Sequence, residues 1–181
     1  TVNKNGEIRF GLGGIKGFGD NIVRAILAER ETNGTFVDIY DFVERINLSA
    51  CNKKCIENLA VSGAFDSVSG MTREQIYAIN DKGEILLDTL VRYGITFQQD
   101  KAASVNSLFG DSSGIDIAKP EIPQNNQPWS TLQKLNKERE LIGIYISGHP
   151  LDEYRVVLER ICNTTLEDLE DIYPLFEYEE E

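Results

Sequence analysis

Apolar residues in the first third of the chain recur at the spacing of a helix. After Asp20 they fall on one helical stripe, which predicts a helix starting at that residue. The positions that form the stripe are Ile22, Val23, Ile26 and Leu27. Asp20 or Asn21 is the expected capping side chain, and Gly34 is the expected residue just beyond the helix end.

The same plan repeats further along. The segment "FVDIYDFVERI" (36–46) has a wide apolar face and predicts a second helix, and "NLSACNKKCIENLAVSGAF" (47–65) predicts a turn that leads into a third helix closed by Gly63. A brief helical turn is expected within residues 8–14. Residues 8–66 are therefore interpreted as two helix–turn–helix units of similar size, with no strand pattern.

The rest of the chain also has helical spacing, with one exception. Residues 71–97 predict a helical stretch that is interrupted at Gly83 and ends near Gly94, whereas the composition of 98–128, rich in Ser, Gly, Pro, Asn and Gln, is typical of a linker. Helical periodicity resumes after Trp129, and "GHP" separates it from a last helix. The prediction is an all-α fold divided into 1–68, 69–97, 98–128 and 129–181.

Composition narrows the class of protein. The chain has 181 residues, of which 41% are hydrophobic, and it contains no apolar run of 18 residues, so no membrane association is expected. Three cysteines and no secretory leader favour a reducing, cytoplasmic location. The chain does not begin with Met and ends in "EYEEE", which suggests a piece of a longer protein.

The net charge of −12 is unevenly distributed. Residues 1–60 hold eight basic and eight acidic residues, and residues 152–181 hold two basic and eleven acidic ones. The acidity is therefore mostly a property of the C-terminal end. It does not exclude phosphate binding by the N-terminal third.

The sequence Gly17-Phe18-Gly19 lies directly before the first long helix. Glycines permit positive φ and leave room for a ligand, and the first N–H groups of a helix lie at the positive end of its dipole. With Lys16 beside them, Gly17, Gly19 and Asn21 are candidate contacts for a phosphate, while Phe18 is expected to enter the core. This is the pattern of a helix-hairpin-helix motif; a tight turn without a ligand is the alternative interpretation.

The second turn contains fewer glycines. Asn52, Lys53 and Lys54 stand where its helix is expected to begin, so a cap and two positive charges are candidates for a second phosphate contact. A solvated lysine pair explains the same residues equally well. Paired units of this kind would hold a duplex by its backbone rather than by its sequence.

We find no catalytic constellation and no metal-ligand spacing. Cys51 and Cys55 are four residues apart rather than in a C-x-x-C pattern, and the single histidine leaves no set of zinc ligands, so core thiols are expected. Ser147 and His149 lack a third orienting group, which favours a structural role for His149. No cofactor is expected in this segment.

Four blocks of the sequence follow one another in a characteristic order: "IRFGLGGIKGFGDNIVRAILAER", "FVDIYDFVERI", "NKKCIENLAVSGAFDS" and "ERELIGIYISGHPLDEY". Together they resemble the α subunits of bacterial DNA polymerase III, the replicative C-family polymerases. The resemblance implies a tandem helix-hairpin-helix region and a segment leading to an OB-fold domain. It implies duplex DNA and other replicative subunits as partners. The carboxylates that hold catalytic Mg²⁺ would lie upstream, so this segment is expected to be inactive while its parent is a DNA-directed DNA polymerase.

The resemblance also implies a peptide that binds the sliding clamp. In this family an internal motif of Gln, two variable residues, an aliphatic residue and Phe occupies the position of "VNSLFG" (105–110). Leu108 and Phe109 match its last two positions, and Val105 stands in place of Gln. An apolar pair in a polar segment is consistent with a partner, and packing back onto its own domain is the alternative.

Two other function classes remain open at this point. One is a tandem helix-hairpin-helix module of a repair nuclease or ligase, and the other is a protein-interaction scaffold that does not bind DNA. The clamp-like peptide and "SGHPLDEY" favour the polymerase segment over the repair enzyme. The acidic total is the feature that favours the scaffold.

Overall fold

The computed structural model describes residue 6 and residues 10–68, 70–106, 117–124 and 127–162. Across these residues the regular elements are helices, with an isolated antiparallel bridge between Ile79 and Ile85. The α-helices are α1 Asp20–Asn33, α2 Ile39–Arg45, α3 Lys53–Val61, α4 Leu86–Asn106, α5 Thr131–Ile142 and α6 Arg155–Arg160. Short 3₁₀ helices lie at Leu12–Gly14, Arg73–Tyr77 and Asp152–Tyr154. The all-α prediction is confirmed.

The first three helices begin and end where local chemistry directs them. Helix α2 starts at Ile39, three residues later than the apolar pattern begins, because the Asp38 side chain accepts a hydrogen bond from the Asp41 N–H (2.6 Å) and caps the helix there. Helix α1 ends at Gly34, whose φ of +82° suits glycine. Asn52 caps α3, as the sequence predicts.

The predicted helix break near Gly94 is wrong. Helix α4 continues through this residue to Asn106. A Cβ built on Gly94 would lie 2.7 Å from the carbonyl oxygen of Val43, so the glycine lets α4 approach the backbone of α2 closely. Gly83, in contrast, does interrupt the helical stretch, because it has φ of +79° in the turn that joins Ile79 to Ile85.

The core lies where α2, α3 and α4 pack together. Its fully buried members come from each of these helices and from the 3₁₀ helix at Arg73–Tyr77. They include Ile39, Phe42, Val43, Ile46, Ile56, Ile76, Leu86 and Leu90. Phe42 lies at the centre, with edge-on contacts to Phe36 and Phe65 at ring-centroid distances of 4.9 and 5.1 Å.

A buried ion pair attaches α5 to this core. Glu138 of α5 is 1% exposed, and its carboxylate accepts a hydrogen bond from Arg73 Nη1 at 2.5 Å. Arg73 also pairs with Asp66 (2.6 Å), just beyond the end of α3. A Cβ at Gly63 would collide with the Arg73 guanidinium, so this glycine leaves the space through which the arginine reaches both carboxylates.

The described parts of the predicted linker 98–128 differ from the expectation. Residues 98–106 belong to α4, and in 117–124 the side chains of Ile117 and Ile122 pack against the core. The Tyr40 hydroxyl donates to the Pro120 carbonyl at 2.6 Å. Few apolar residues are needed here, because side chains of the core satisfy the carbonyls of this extended segment.

The chain divides into two units, Thr1–Tyr145 and Ile146–Glu181. Helix α5 thus belongs with the first unit, whereas the sequence places a boundary at 128/129. In the second unit the described residues form the 3₁₀ helix at Asp152–Tyr154 and helix α6, with Val156 and Ile161 largely exposed. No helix in the described part of the chain is both long and apolar enough to cross a membrane.

Candidate nucleic-acid interface

The first turn contains a glycine in a backbone conformation that other residues rarely adopt. The Phe18 N–H donates to the Ile15 carbonyl at 3.0 Å, and Gly17 has φ of +84°. Positive φ at the third residue of a four-residue turn is the geometry of a type II turn, which requires glycine or asparagine there. Ile15 and Phe18 are buried and anchor the turn, as expected for Phe18, while Lys16 and Gly17 are exposed.

The start of α1 leaves backbone donors open. Gly19 is the N-cap and supplies no side-chain hydrogen bond, so the prediction that Asp20 or Asn21 caps the helix is wrong. The Gly19 carbonyl accepts hydrogen bonds from the amides of Ile22 and Val23. Within the described residues no protein group accepts from the amides of Asp20 and Asn21. Because these amides lie at the positive end of the helix dipole, they suit an anion.

Lys16 carries an available charge beside these amides. It is exposed, and in the part of the chain that the structure describes it takes part in no ion pair. The sequence predicts four residues of this turn as phosphate contacts: Lys16, Gly17, Gly19 and Asn21. All four are exposed on one short stretch of chain.

Two residues that the sequence interpretation missed hold this turn in place. The Lys16 carbonyl accepts a hydrogen bond from Asn58 Nδ2 at 2.9 Å, and the Lys16 N–H donates to the Leu141 carbonyl at 2.8 Å. Asn58 lies on α3 and Leu141 on α5. No local pattern around either residue could have revealed these contacts, although a buried asparagine (6% exposed) requires a partner.

The second turn is built differently. Asn47 stabilises it, because its Oδ1 accepts from the Ser49 N–H at 2.9 Å and its carbonyl accepts from the Cys51 N–H at 2.8 Å. No described residue other than glycine has positive φ, so this glycine-free turn has ordinary backbone geometry. Asn52 Oδ1 is used as the helix cap, accepting from Cys55 N–H at 3.1 Å.

Both lysines of the second turn face carboxylates. Lys53 pairs with Asp88 of α4, and Lys54 pairs with Glu57 at 2.9 Å. Burial raises the pKa of Glu57, but hydrogen bonds from Lys54 and the Tyr77 hydroxyl outweigh it, so the pKa lies below its ordinary value and the carboxylate stays charged. The candidate residues Asn52, Lys53 and Lys54 are adjacent in space, but their side chains are already engaged.

The cysteines and the histidine that the sequence analysis considered have structural roles. Cys51 and Cys55 are buried free thiols, as predicted. The pKa of Cys51 is raised to about 12, mainly by burial and to a smaller extent by the neighbouring Cys55. His149 Nδ1 accepts from the Leu151 N–H at 3.2 Å, and the backbone N–H of His149 donates to Asp152 Oδ2 at 2.7 Å, so this residue helps to form a local turn.

The clamp-like peptide is largely beyond what the structure describes. Val105 belongs to the last turn of α4, and its side chain is among those not described. Leu108 and Phe109 lie outside the described residues.

Comparison with known proteins gives two findings. A family model for the helix-hairpin-helix motif matches residues 1–76. DNA polymerase III subunit alpha of Haemophilus influenzae is 32% identical over 169 residues, which are 93% of this chain and 14% of the relative.

The corresponding subunits of two other bacteria give the same result. That of Mycobacterium tuberculosis is 34% identical over 164 residues, covering 88% of this chain and 13% of the relative. That of Deinococcus radiodurans is 36% identical over 155 residues, covering 84% and 11%. The chain thus spans between 11% and 14% of the length of these relatives.

Proposed function

From the homology of this chain to a segment of the bacterial DNA polymerase III alpha subunits, we propose that it binds duplex DNA through backbone phosphates. The first turn is the principal contact. The observation that carries the proposal is the pair of open amides of Asp20 and Asn21, which follow the exposed Lys16, a residue that takes part in no ion pair among the described residues. Backbone amides and a lysine recognise phosphate without reading bases, so binding has no sequence preference.

Two variants matched for backbone strain test this proposal. Lys16→Glu combined with Gly17→Val reverses the charge and places a β-branched residue at φ of +84°. Gly34→Val imposes the same strain at φ of +82° at the other end of α1, where nothing lies within 4 Å of the new Cβ. Anisotropy titration of a short fluorescent duplex at low salt is the measurement.

The expected result is loss of binding in the double variant, with Gly34→Val close to wild type and all three proteins equally helical by circular dichroism. Wild-type affinity should decrease steeply as salt rises from about 50 to about 200 mM. Equal affinity in wild type and the double variant would remove the first turn from the interface. A wild-type protein that fails to bind duplex even at low salt would favour the interaction scaffold instead.

We further propose that residues 104–110 tether the parent protein to the sliding clamp, with Leu108 and Phe109 as anchors. The support is the sequence match to the family's clamp motif. Leu108→Ala with Phe109→Ala should eliminate a micromolar interaction, because burying two such side chains contributes on the order of several kcal/mol. Val105→Gln should tighten it by adding hydrogen bonds. A double variant that binds purified clamp as well as wild type would contradict the proposal.

The parent protein is proposed to be a cytoplasmic DNA-directed DNA polymerase whose catalytic Mg²⁺ is held by residues outside this chain. Within the described residues no cluster of three or more His, Cys, Asp or Glu side chains is placed to hold a metal ion. If the catalytic carboxylates lie elsewhere in the parent protein, the purified chain should extend no primer with template, nucleotides and Mg²⁺. Template-dependent extension would contradict this assignment.

A further inference from the structure

The Lys16–Gly17 peptide is the central peptide of the first turn, and its orientation decides the turn type. A type II turn differs from a type I turn mainly by a flip of this central peptide, which changes φ at the third residue from negative to positive. Because a trans peptide directs its C=O and N–H to opposite sides, the flip also reverses the direction of the Gly17 N–H. Whatever holds the Lys16 carbonyl therefore determines where the Gly17 N–H is directed.

Asn58 holds that carbonyl. Its Nδ2 lies 2.9 Å from the Lys16 oxygen, and the side chain is 6% exposed on α3, 42 residues further along the chain. A Cβ on Gly17 would lie 3.4 Å from the same Nδ2, so the amide is packed directly against the turn. The Lys16 carbonyl thus faces the protein, and the Gly17 N–H is directed the other way, on the exposed side of the turn.

Removal of the Asn58 side-chain amide would remove the hydrogen bond that fixes the orientation of the Lys16–Gly17 peptide. The Lys16 carbonyl would lose its partner beside a buried side chain, and an unsatisfied carbonyl in such a place is unfavourable. The turn could regain a partner by flipping its central peptide. The Gly17 amide would then turn away from the exposed side of the turn.

We propose that Asn58 is a positioning residue for phosphate binding, which fixes the first turn in the type II form with the Gly17 N–H directed at the ligand. This inference rests on the function proposed above. It assigns to the second helix–turn–helix unit a role other than its own DNA contact: α3 supplies the side chain that shapes the phosphate site of the first unit.

The test compares Asn58→Leu with Ile56→Val on the same helix. Leucine keeps the branched arrangement of heavy atoms of the asparagine side chain but has no donor. Ile56 is fully buried and lies two positions before Asn58, on a different face of α3, so valine there lowers stability and leaves the hydrogen bond to the Lys16 carbonyl in place. Duplex affinity is measured by anisotropy well below both melting temperatures, and the Gly17 amide resonance is followed by ¹H–¹⁵N NMR in the free proteins.

Asn58→Leu is expected to weaken duplex binding about fivefold, the effect of one hydrogen bond, and to shift the Gly17 amide resonance. Ile56→Val is expected to leave both unchanged. If wild type binds duplex and Asn58→Leu binds equally well, the assignment of Asn58 is overturned while the proposed function stands. If wild type itself fails to bind, the proposed function falls and the role of Asn58 with it.

Discussion

The two turns each lead into a helix, but they differ in the charge that they leave available. At both helices the amide of the third residue has a partner, Ile22 at Gly19 and Cys55 at Asn52, while no described group accepts from the first two amides. At the first turn Lys16 is exposed and takes part in no ion pair among the described residues. At the second turn Lys53 and Lys54 both face carboxylates. The turns therefore differ as anion sites in their lysine charge rather than in their backbone donors.

The largest effect on duplex affinity is expected when a lysine of the first turn is reversed in charge and compared with a lysine of the second. Lys16→Glu and Lys54→Glu change the net charge equally, so a difference between them reports location. Lys16→Glu should weaken duplex binding about tenfold or more, since a hydrogen bond to a charged group contributes about 1.5–3 kcal/mol. Lys54→Glu should change it by about twofold at most, because a distant exposed charge is screened. Anisotropy titration at low salt measures both.

Equal weakening of duplex binding by the two charge reversals would show that both turns contact phosphate and would contradict the difference proposed between them. The salt dependence gives a second measurement on the same samples. The slope of log affinity against log salt should decrease by about one unit for Lys16→Glu and stay constant for Lys54→Glu.

A smaller effect on duplex affinity is expected when Lys53 of the second turn loses its ion-pair partner. Asp88→Asn removes the carboxylate that pairs with Lys53, and Asp81→Asn removes one negative charge from the exposed turn at Gly83. Asp88→Asn should tighten duplex binding about two- to threefold, in keeping with the energy of an exposed ion pair. Asp81→Asn should have less effect. If the two variants bind duplex with the same affinity, the ion pair with Asp88 does not keep Lys53 from binding phosphate, and the second turn lacks a phosphate site for another reason.

The smallest effect on binding is expected from thiol modification. Iodoacetamide at about pH 8 should modify the exposed Cys162 and spare the buried Cys51 and Cys55. The modified protein should bind duplex as wild type does, which mass spectrometry and anisotropy together would check. Alkylation of Cys51 at the rate of Cys162 would show that the second turn opens in the folded protein.

The raised pKa of Cys51 also has a consequence for stability. An ordinary thiol has a pKa of 9.0, and burial raises that of Cys51 to about 12. The unfolded chain therefore releases this proton at lower pH than the folded one. The stabilisation from the neutral thiol is complete below about pH 9 and decreases as pH rises toward 12, which urea unfolding at increasing pH would detect.

Several features of the fold could be predicted because their causes are local. The helix at Asp20, its end at Gly34 and the cap at Asn52 each depend on residues within a few positions of one another. The candidate contacts of the first turn were found for the same reason. The Gly-Phe-Gly sequence and the following helix specify the place of the turn and the open amides at the start of α1.

Other features were missed because their causes lie far away in sequence. Gly94 has the sequence signature of a helix end, yet its neighbour is the Val43 carbonyl of another helix. Gln98 lies in a segment with linker composition, yet its Nε2 donates to the carbonyls of Val43 and Ile46, both at 2.8 Å, and so completes the end of α2. A glycine or a glutamine by itself does not show which distant backbone it serves.

The sequence by itself determined an all-helical chain, the positions of its turns, and the first turn as a candidate phosphate site, because apolar spacing, caps and glycine conformations act over a few residues. Tertiary structure decided how the first turn is oriented and whether Lys53 of the second turn faces a carboxylate. Asp88 reaches Lys53 from α4, and Asn58 reaches the Lys16 carbonyl from α3. These partners are brought together only when the helices pack, so charge pairing and turn orientation follow from the core rather than from the local sequence.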